Sequence, residues 1–501
     1  MPKTSRNSPR TNAPGRNASG TNAPGTNIRT TNLSGTGAAD TTARAARISG
    51  TNEPSVPQTT GPTARVASVN TPQPSVPQTT GPTAHVVSVS GPQPSVEDFR
   101  NPEPVPNPVP LDAPREGIPP LTQSPAQLAQ AVAALRAGTG PFAIDAERAM
   151  GIRYTARAYL VQIRRAGAGS FLFDPVGNET RFGPLAQVLT TDEWILHAAD
   201  QDLPCLRELG LACPKLFDTE IAGMILGFER LSLQWMVETL LGFRLAKEYA
   251  NSDWSQRPLS ADLRSYAALD VELLIPLRER LLEMLDDAGR TEWCAQESEH
   301  VRTAPPKKPS PDPWRKITKS ANINDPRTLA IARELWRARE EIARQADIAP
   351  GRVLANKALG ALAARRPRSL ADVRNAPMLR RGSKKKYAAK LWEGVARAWK
   401  LSESELPPKR LPQSSSFPTS PGNWNRHNEH AAERWVLVRD AVRGRAAELG
   451  IRQDVLLKPA TQKALAWYGW KKRGLENELA DLGARPWQIA QAAPAIAAAF
   501  S

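Results

Sequence analysis

The chain has 501 residues and a net charge of +16, with 46 prolines and three cysteines. This length is too great for one hydrophobic core, so two or three domains are expected. Three cysteines without C-x-x-C spacing exclude a disulfide framework and predict reduced thiols in the cytoplasm. No apolar run reaches about 18 residues, and the first residues contain no apolar segment, so neither a membrane span nor a secretory signal is predicted.

Residues 1–120 are predicted to be a disordered tail rich in proline, threonine and serine. They contain 21 of the 46 prolines and few large apolar residues, and a 20-residue segment that begins at Pro57 recurs from Pro77. Such a composition buries too little apolar surface to offset the entropy lost on ordering. Two copies without a leucine ladder favour low-complexity disorder over a solenoid.

Residues 121–300 are predicted to form an α/β domain with a mixed sheet. The segment opens with a helix that Ser124 caps, and most of residues 201–285 is predicted to be helical, ending in a helix over residues 260–285. Strands that precede and alternate with helices indicate this class of fold. Four strands are predicted, at residues 142–147, 159–164, 170–175 and 194–198.

Residues after 300 are predicted to form two all-α bundles. Residues 301–323 and 406–425 are rich in proline and are predicted to be linkers, whereas residues 324–405 and 426–501 show helical patterns without strands.

Charge is distributed unevenly between these parts. Residues 121–299 contain 25 Asp/Glu and 17 Lys/Arg, whereas residues 300–501 contain 18 Asp/Glu and 39 Lys/Arg. This difference predicts carboxylates that bind cations in the first part and Lys/Arg side chains that bind phosphate in the second. A solvated basic surface without a partner is the alternative.

Two candidate catalytic acids lie on the first predicted strand. Asp145 and Glu147 are two residues apart, so both side chains lie on one face, about 7 Å apart along the strand. Ile144 and Ala146 point to the opposite, buried face. Two carboxylates so arranged repel each other unless a cation lies between them.

Three further candidates follow in the chain. Asp202 lies early in the helix after the strand at residues 194–198, and Tyr266 and Asp270 share one face of a helix because they are four residues apart. Each has a simple alternative when it is taken alone. Asp202 could be a first-turn acid favoured by the helix dipole, Tyr266 a half-buried aromatic residue and Asp270 a solvated acid.

In this order the residues resemble the ribonuclease D family of DEDD exonucleases, in the branch with tyrosine in the third motif. The resemblance covers residues 121 to about 290 and is carried by FAIDAER, LHAADQDLPCL and YAALD. It is supported by YLVQIRR, LFDPVG, LFDTEIAGMIL and NSDWSQRPLS. The resemblance implies a ribonuclease H-like fold and a 3′–5′ exoribonuclease. Arg148 is a departure, since many members have phenylalanine there, and its packing and any substrate contact stay open.

The resemblance also implies two divalent cations. Mg²⁺ or Mn²⁺ is expected, because carboxylates without a His or Cys cluster favour hard ions. Asp145 would bridge both ions, Glu147 and Asp270 would complete the site that activates a water molecule, and Asp202 would help to hold the second ion. Tyr266 would orient the attacking water, since an unperturbed tyrosine pKa of about 10 favours orientation over full general-base catalysis.

Three further side chains, His197, Trp254 and Arg257, lie near these motifs in the sequence. His197 is predicted to be a hydrogen-bonded positioning residue rather than a metal ligand. The loop that contains Trp254 and Arg257 has two open interpretations: it walls the active site, where Trp254 would contact nucleic acid, or it caps the helix that follows.

Residues 324–405 resemble the HRDC domain (helicase and ribonuclease D C-terminal), and residues 426–501 resemble a second, more divergent copy. The first resemblance runs from LAIARELWRAREEIARQADIAPGRVL to RSLADVRNAPMLRRGSKKKYAAKLWEGVARA. A basic run in this domain is predicted to bind phosphate, because Lys/Arg and helix N-termini attract it without reading sequence. Trp392 and Trp399 are assigned to the core. The basic run comprises Arg380, Arg381, Lys384, Lys385 and Lys386.

The expected substrate is RNA with a free 3′ end, and the family resemblance implies precursor tRNA. A monomer without an obligate protein partner is expected. A DNA exonuclease of the same fold stays open, because discrimination depends on contacts to the 2′-hydroxyl group. A non-catalytic RNA-binding scaffold predicts the loss of at least one carboxylate, and all four are present.

Overall fold

The computed structural model describes residues 100–245, 249, 252–319, 321–380, 382–410 and 417–501. The described parts of residues 51–307 and 314–501 belong to one compact unit, and residues 308–313 group apart from it. The predicted tail lies outside the described residues as far as residue 99. Over the described ranges, no helix combines the length and apolar character needed to cross a membrane.

A six-stranded mixed sheet forms the centre of the first domain, as predicted. The strands of the described chain are β1 Val109–Leu111, β2 Leu121–Thr122, β3 Thr139–Arg148, β4 Ala158–Ala166, β5 Gly169–Phe173, β6 Trp194–Leu196, β7 Leu216–Asp218 and β8 Phe243–Leu245. The order is β2-β5-β4-β3-β6-β7. β3 and β4 are antiparallel, whereas β6 is parallel to β3 and β7 is parallel to β6.

Residues 100–120 are part of this folded domain, which corrects the predicted end of the tail. β1 pairs in parallel with β8, and the Val105 N–H donates to the Thr239 carbonyl oxygen at 3.1 Å. Arg115 Nε donates to a carboxylate oxygen of the buried Glu272 at 2.7 Å. These contacts join positions up to 157 residues apart, so local composition does not reveal them.

Helices pack on both faces of the sheet because successive side chains of a strand point in opposite directions. The first domain contains α1 Pro125–Ala137, α2 Gly183–Leu189, α3 Leu203–Glu208, α4 Thr219–Leu226, α5 Leu233–Leu241, α6 Ala261–Glu272, α7 Leu274–Asp287 and α8 Thr291–Thr303. One core joins Ile144 and Ala146 of β3 to residues of α1, α2 and α3. Their burial confirms the predicted faces of this strand.

The second domain is an all-α bundle, as predicted. Its helices are α9 Lys316–Lys319, α10 Pro326–Gln345, α11 Pro350–Val353, α12 Asn356–Ala364, α13 Leu370–Arg374, α14 Pro377–Arg380 and α15 Ala388–Lys400. α10 packs against α15. A Cβ atom at Gly394 would lie 2.7 Å from the Glu334 carbonyl oxygen, so glycine permits this close packing. Trp314 and Ile317 are buried in the same core, which extends the bundle into the predicted linker at residues 301–323.

The second domain contacts the loop that follows β3. The Ala349 N–H donates to the Ile152 carbonyl oxygen at 2.8 Å, and Arg352 Nε donates to the Gly151 carbonyl oxygen at 2.9 Å. Asp347 accepts a hydrogen bond from the Tyr154 N–H at 3.4 Å. The bundle is therefore attached to the first domain next to the end of the strand that carries Asp145 and Glu147.

The third domain is also all-α, and its core is continuous with that of the first domain. Its helices are α16 Glu429–Glu448, α17 Gln453–Leu456, α18 Pro459–Tyr468, α19 Leu475–Asp481 and α20 Pro486–Ala498. The rings of Trp487 and Trp293 stack at a centroid distance of 4.8 Å. Arg485 donates to both carboxylate oxygens of Glu297, at 2.6 and 2.7 Å. Trp424, from the predicted linker at residues 406–425, is fully buried.

Candidate active site

Three of the predicted carboxylates meet where α6 crosses the sheet. Asp145 and Glu147 project from β3, and Asp270 projects from α6, which packs against β3, β4 and β5. One oxygen from each carboxylate lies within 4.8 Å of the other two, and all three residues are half-buried. Ser260 caps this helix, since its hydroxyl oxygen accepts a hydrogen bond from the Leu263 N–H at 3.2 Å.

The donor set of this group suits a divalent metal ion. Three carboxylates so close together repel one another in the absence of positive charge, and burial strengthens that repulsion. Carboxylate oxygens are the ligands that Mg²⁺ and Mn²⁺ prefer. Asp145, Glu147 and Asp270 therefore fit the predicted role of metal ligands.

Asp202 belongs to a different local arrangement. It lies at the N-terminal end of α3 and is buried. Its Oδ1 atom is 3.3 Å from Nη2 of Arg148, and both side chains are largely buried. Among the described residues, three of the four predicted ligands lie in one group of close carboxylates. The fourth, Asp202, pairs with Arg148, whose packing could not be predicted from the sequence.

The turn that presents Asp202 is held by a buried carboxylate that sequence analysis did not single out. Asp218, at the end of β7, accepts hydrogen bonds from the N–H groups of Ala198 at 3.0 Å and Ala199 at 2.7 Å. Ala198 has a φ of 58°, a left-handed conformation that is costly without such support. Burial raises the pKa of Asp218 to about 6, against the effect of these backbone donors. Its position before α4 signalled only a helix cap.

His197 lies beside this turn and is hydrogen-bonded, as predicted, whereas its positioning role stays a prediction. Its Nδ1 atom is 2.9 Å from the hydroxyl oxygen of Thr219, the first residue of α4. The contact links the end of β6 to the start of α4.

Tyr266 lies one helical turn before Asp270 and is held by an aromatic contact. It is 7% exposed, and its ring centroid lies 6.2 Å from that of Trp254. Trp254 is fully buried, which corrects the expectation that it contacts nucleic acid: the structure leaves it no accessible surface. Its ring supports Tyr266 instead.

Arg257 fastens the loop that carries Trp254. Its guanidinium donates to Asp174 at 2.7 and 2.8 Å, to the Tyr159 carbonyl oxygen at 2.6 Å and to the Trp254 carbonyl oxygen at 2.8 Å. Burial raises the pKa of Asp174, but the hydrogen bonds from Arg257 and Gln123 outweigh it and leave that pKa below its usual range. The loop thus connects the sheet to the aromatic support of Tyr266.

The predicted basic run lies on the surface of the second domain. Arg380 ends α14 and is exposed, and Lys384, Lys385 and Lys386 lie on a short 3₁₀ helix, Ser383–Tyr387. Arg381 lies outside the described residues. Trp392 and Trp399 are partly buried against the bundle core, in agreement with their assignment. Phosphate binding by the basic run stays a prediction.

Three family models match the three domains. Residues 121–286 match a model described as 3′–5′ exonuclease, residues 328–395 match the HRDC domain, and residues 418–500 match a 3′ to 5′ exonuclease C-terminal domain. The model matched by residues 418–500 is not the HRDC model, so the second HRDC-like copy predicted for residues 426–501 stays a prediction, whereas its all-helical architecture is confirmed.

Individual relatives match over much of their length. Ribonuclease D of Jannaschia sp. (strain CCS1) is 32% identical over 282 residues, which cover 54% of this chain and 72% of the relative. A crystal structure of a protein from Bifidobacterium adolescentis has a TM-score of 0.71 and 33% identity, covering 78% of this chain and 99% of that one. Escherichia coli RNase D, described as an exoribonuclease involved in structured RNA processing, has a TM-score of 0.56 and 25% identity, covering 76% and 98%.

Proposed function

The chain belongs to the ribonuclease D family and is a 3′–5′ exonuclease, and from this premise we propose that it releases nucleotides one at a time from the 3′ ends of RNA. The observation that supports the catalytic part of this proposal is the group formed by Asp145, Glu147 and Asp270, whose carboxylate oxygens lie within 4.8 Å of one another. The choice of RNA rests on the ribonuclease D relatives and on the basic domains that follow the catalytic domain.

Phosphodiester hydrolysis needs an activated water molecule and neutralisation of the charge on the leaving oxygen, and two divalent cations supply both when they are bound. Asp145, Glu147 and Asp270 would hold the cations through their clustered carboxylate oxygens. Asp202 contributes a further carboxylate from the neighbouring turn. The strand and the helix fix these side chains before substrate binds, so little reorganisation is needed during reaction.

Tyr266 acts on the water rather than on the cations. Its ring is fixed by Trp254 at a centroid distance of 6.2 Å, and it follows the same helical face as Asp270. A phenol held in this way orients the attacking water by a hydrogen bond. Alignment of the water with the phosphorus atom increases the reaction rate, because correct orientation of the reacting groups lowers the entropic part of the barrier.

The helical domains bind the body of the RNA. Residues 300–501 carry 39 Lys/Arg against 18 Asp/Glu, and the basic run at Arg380 and Lys384–Lys386 is a surface to which phosphates can bind without base recognition. Structured RNA, with precursor tRNA as the specific candidate, is the proposed natural substrate. The support for it is that the E. coli relative is described as acting in structured RNA processing.

The test uses the full chain with 5′-labelled RNA and DNA of one sequence, in Mg²⁺, Mn²⁺ or chelator. We expect a ladder of products shortened from the 3′ end, faster on RNA than on DNA and abolished by chelator or by Asp145→Ala. Asp262→Ala, which changes an exposed acid in the first turn of the same helix as Asp270, is the matched control and retains activity.

A precursor tRNA with a 3′ extension is compared with an unstructured RNA of equal length. Trimming that stops at the folded tRNA body supports the proposed natural substrate. Faster turnover of DNA would favour the DNA exonuclease alternative, and undiminished turnover in both Asp145→Ala and Asp270→Ala would rule out the site.

A further inference from the structure

The contact between Arg148 and Asp202 places a positive charge inside the candidate active site. Nη2 of Arg148 lies 3.3 Å from Oδ1 of Asp202, and the two side chains are 13% and 7% exposed. Arg148 ends the strand that carries Asp145 and Glu147. Arg148 therefore connects the strand that carries two of the three clustered carboxylates to the turn that presents the fourth acid.

The local backbone explains how Arg148 reaches this position. The pairing of β3 with β4 shifts in register between Glu147 and Arg148, so that Glu147 pairs with Leu160 and Arg148 with Ala158. A shift of this kind breaks the alternation of side chains and re-aims the residue next to it. On the other side of β3 lies β6, which leads directly into the turn that ends at Asp202.

Stability alone does not account for such a pair. Taking two charges out of water carries a desolvation penalty that their attraction often fails to exceed, and apolar replacements of buried ion pairs are frequently neutral or stabilising. The turn is already held by Asp218, through the N–H groups of Ala198 and Ala199. The pair therefore has a consequence at the site rather than for the fold.

We propose that Arg148 is a positioning residue that serves as a resident cation for Asp202, so that this chain binds one divalent ion tightly at the three-carboxylate group and a second one weakly at Asp202. The inference rests on the proposed metal-dependent function. It adds to that function a prediction of which of the two ion sites binds its ion more tightly. The physical reason is that the guanidinium charge already compensates Asp202 and repels a further cation, whereas Asp145, Glu147 and Asp270 have oxygens close together.

The test is calorimetric titration of the full chain with Mn²⁺ alone, without RNA. We expect one tight and one weak binding step in the unmodified protein. Arg148→Gln removes the charge and keeps hydrogen-bonding capacity, so the weak step should tighten by about tenfold or more. Arg148→Lys keeps the charge and should retain the weak step. The Mn²⁺ concentration for half-maximal exonuclease activity should fall in parallel in Arg148→Gln.

The matched control is Arg157→Gln, which removes an arginine from an exposed pair with Glu179 and should leave both steps unchanged. Should Arg148→Gln fail to fold, Arg148→Met tests the same idea, since it also removes the charge, keeps an extended side chain and should likewise tighten the weak step. The folded state of each variant is checked by thermal unfolding.

Two results would overturn the inference. One is an Arg148→Gln isotherm identical to that of the unmodified protein. The other is a higher Michaelis constant for RNA with unchanged Mn²⁺ binding, which would make Arg148 an RNA contact. Absence of any Mn²⁺ binding to the unmodified protein would instead refute the proposed metal site itself, so the two failures are distinguishable.

Discussion

The catalytic domain and the second domain use charge in opposite ways. The acids at the candidate active site are half-buried or buried, and each projects from or next to a strand or helix that packing holds in place. The cations of the basic run lie on a short 3₁₀ helix, where Lys385 and Lys386 are exposed. The acids depend on position, because an oxygen of each one must reach a cation site. The Lys/Arg side chains of the basic run act through their number, because the attraction of each positive charge for phosphate adds over a surface.

The same difference appears in how the side chains are supported. Tyr266 is backed by the buried Trp254, and Asp202 by Arg148. In the basic run, by contrast, the Nζ atom of Lys386 lies 5.1 Å from the centroid of the neighbouring Tyr387 ring. Substitutions should therefore affect catalytic rate in the first region and substrate affinity in the second.

The largest effect is expected for Asp145→Asn and Asp270→Asn. Each change removes a charge from the group of three carboxylates, and loss of metal-ion stabilisation worth several kcal/mol lowers kcat by about 10³-fold or more. Single-turnover kinetics on labelled RNA measure this value. Lower RNA affinity with unchanged kcat would contradict the expectation that these acids act on catalytic rate.

Trp254→Ala should have the next largest effect, on both stability and rate. Removal of a buried tryptophan costs about 3–5 kcal/mol of unfolding free energy. Displacement of Tyr266 by about 1 Å lowers kcat by about 10²-fold. Denaturant unfolding and kcat are measured together. The matched variant Trp254→Phe retains an aromatic ring and should lie between Trp254→Ala and the unmodified protein in both quantities.

A smaller effect is expected when the lysines of the basic run are removed together. Lys384→Ala, Lys385→Ala and Lys386→Ala combined should raise KM for RNA about fivefold and reduce the slope of log KM against log salt by about 2, with kcat retained. Alanine at Lys471, Lys472 and Arg473, which are exposed in the third domain, is the control with equal charge loss. An equal effect of both triples would mean that net charge matters and location does not.

The smallest expected effect is on stability and involves a carboxylate of the catalytic domain outside the site. Burial, followed by repulsion from Asp218 and Asp200, raises the pKa of Glu220 to about 7. Between its unfolded pKa near 4.5 and pH 7, the folded state keeps a proton that the unfolded state loses, so stability falls as pH rises through this window and is constant above it.

Glu220→Gln removes this dependence. The variant should match the unmodified protein near pH 4.5 and exceed its unfolding free energy by about 1 kcal/mol at pH 8, because partial exposure reduces the full linkage effect. Denaturant unfolding at both values of pH measures the difference. If the difference in unfolding free energy between the two proteins does not change with pH, the pKa of Glu220 is not raised by folding.

Sequence was sufficient where both partners lie within one element. Asp145 and Glu147 share a strand face, and Tyr266 and Asp270 share a helix face, because the periods of these elements are fixed. Alternating and helical patterns likewise predicted the mixed sheet and the two all-α bundles, which the structure confirms.

Tertiary structure alone decided which distant residues meet. Arg148 pairs with Asp202 after a register shift in the sheet, the burial of Trp254 makes it a support rather than a contact for nucleic acid, and β1 extends the fold into the predicted tail by pairing with β8. Local propensity carries no information about such partners, because their contacts form only when separate elements pack together.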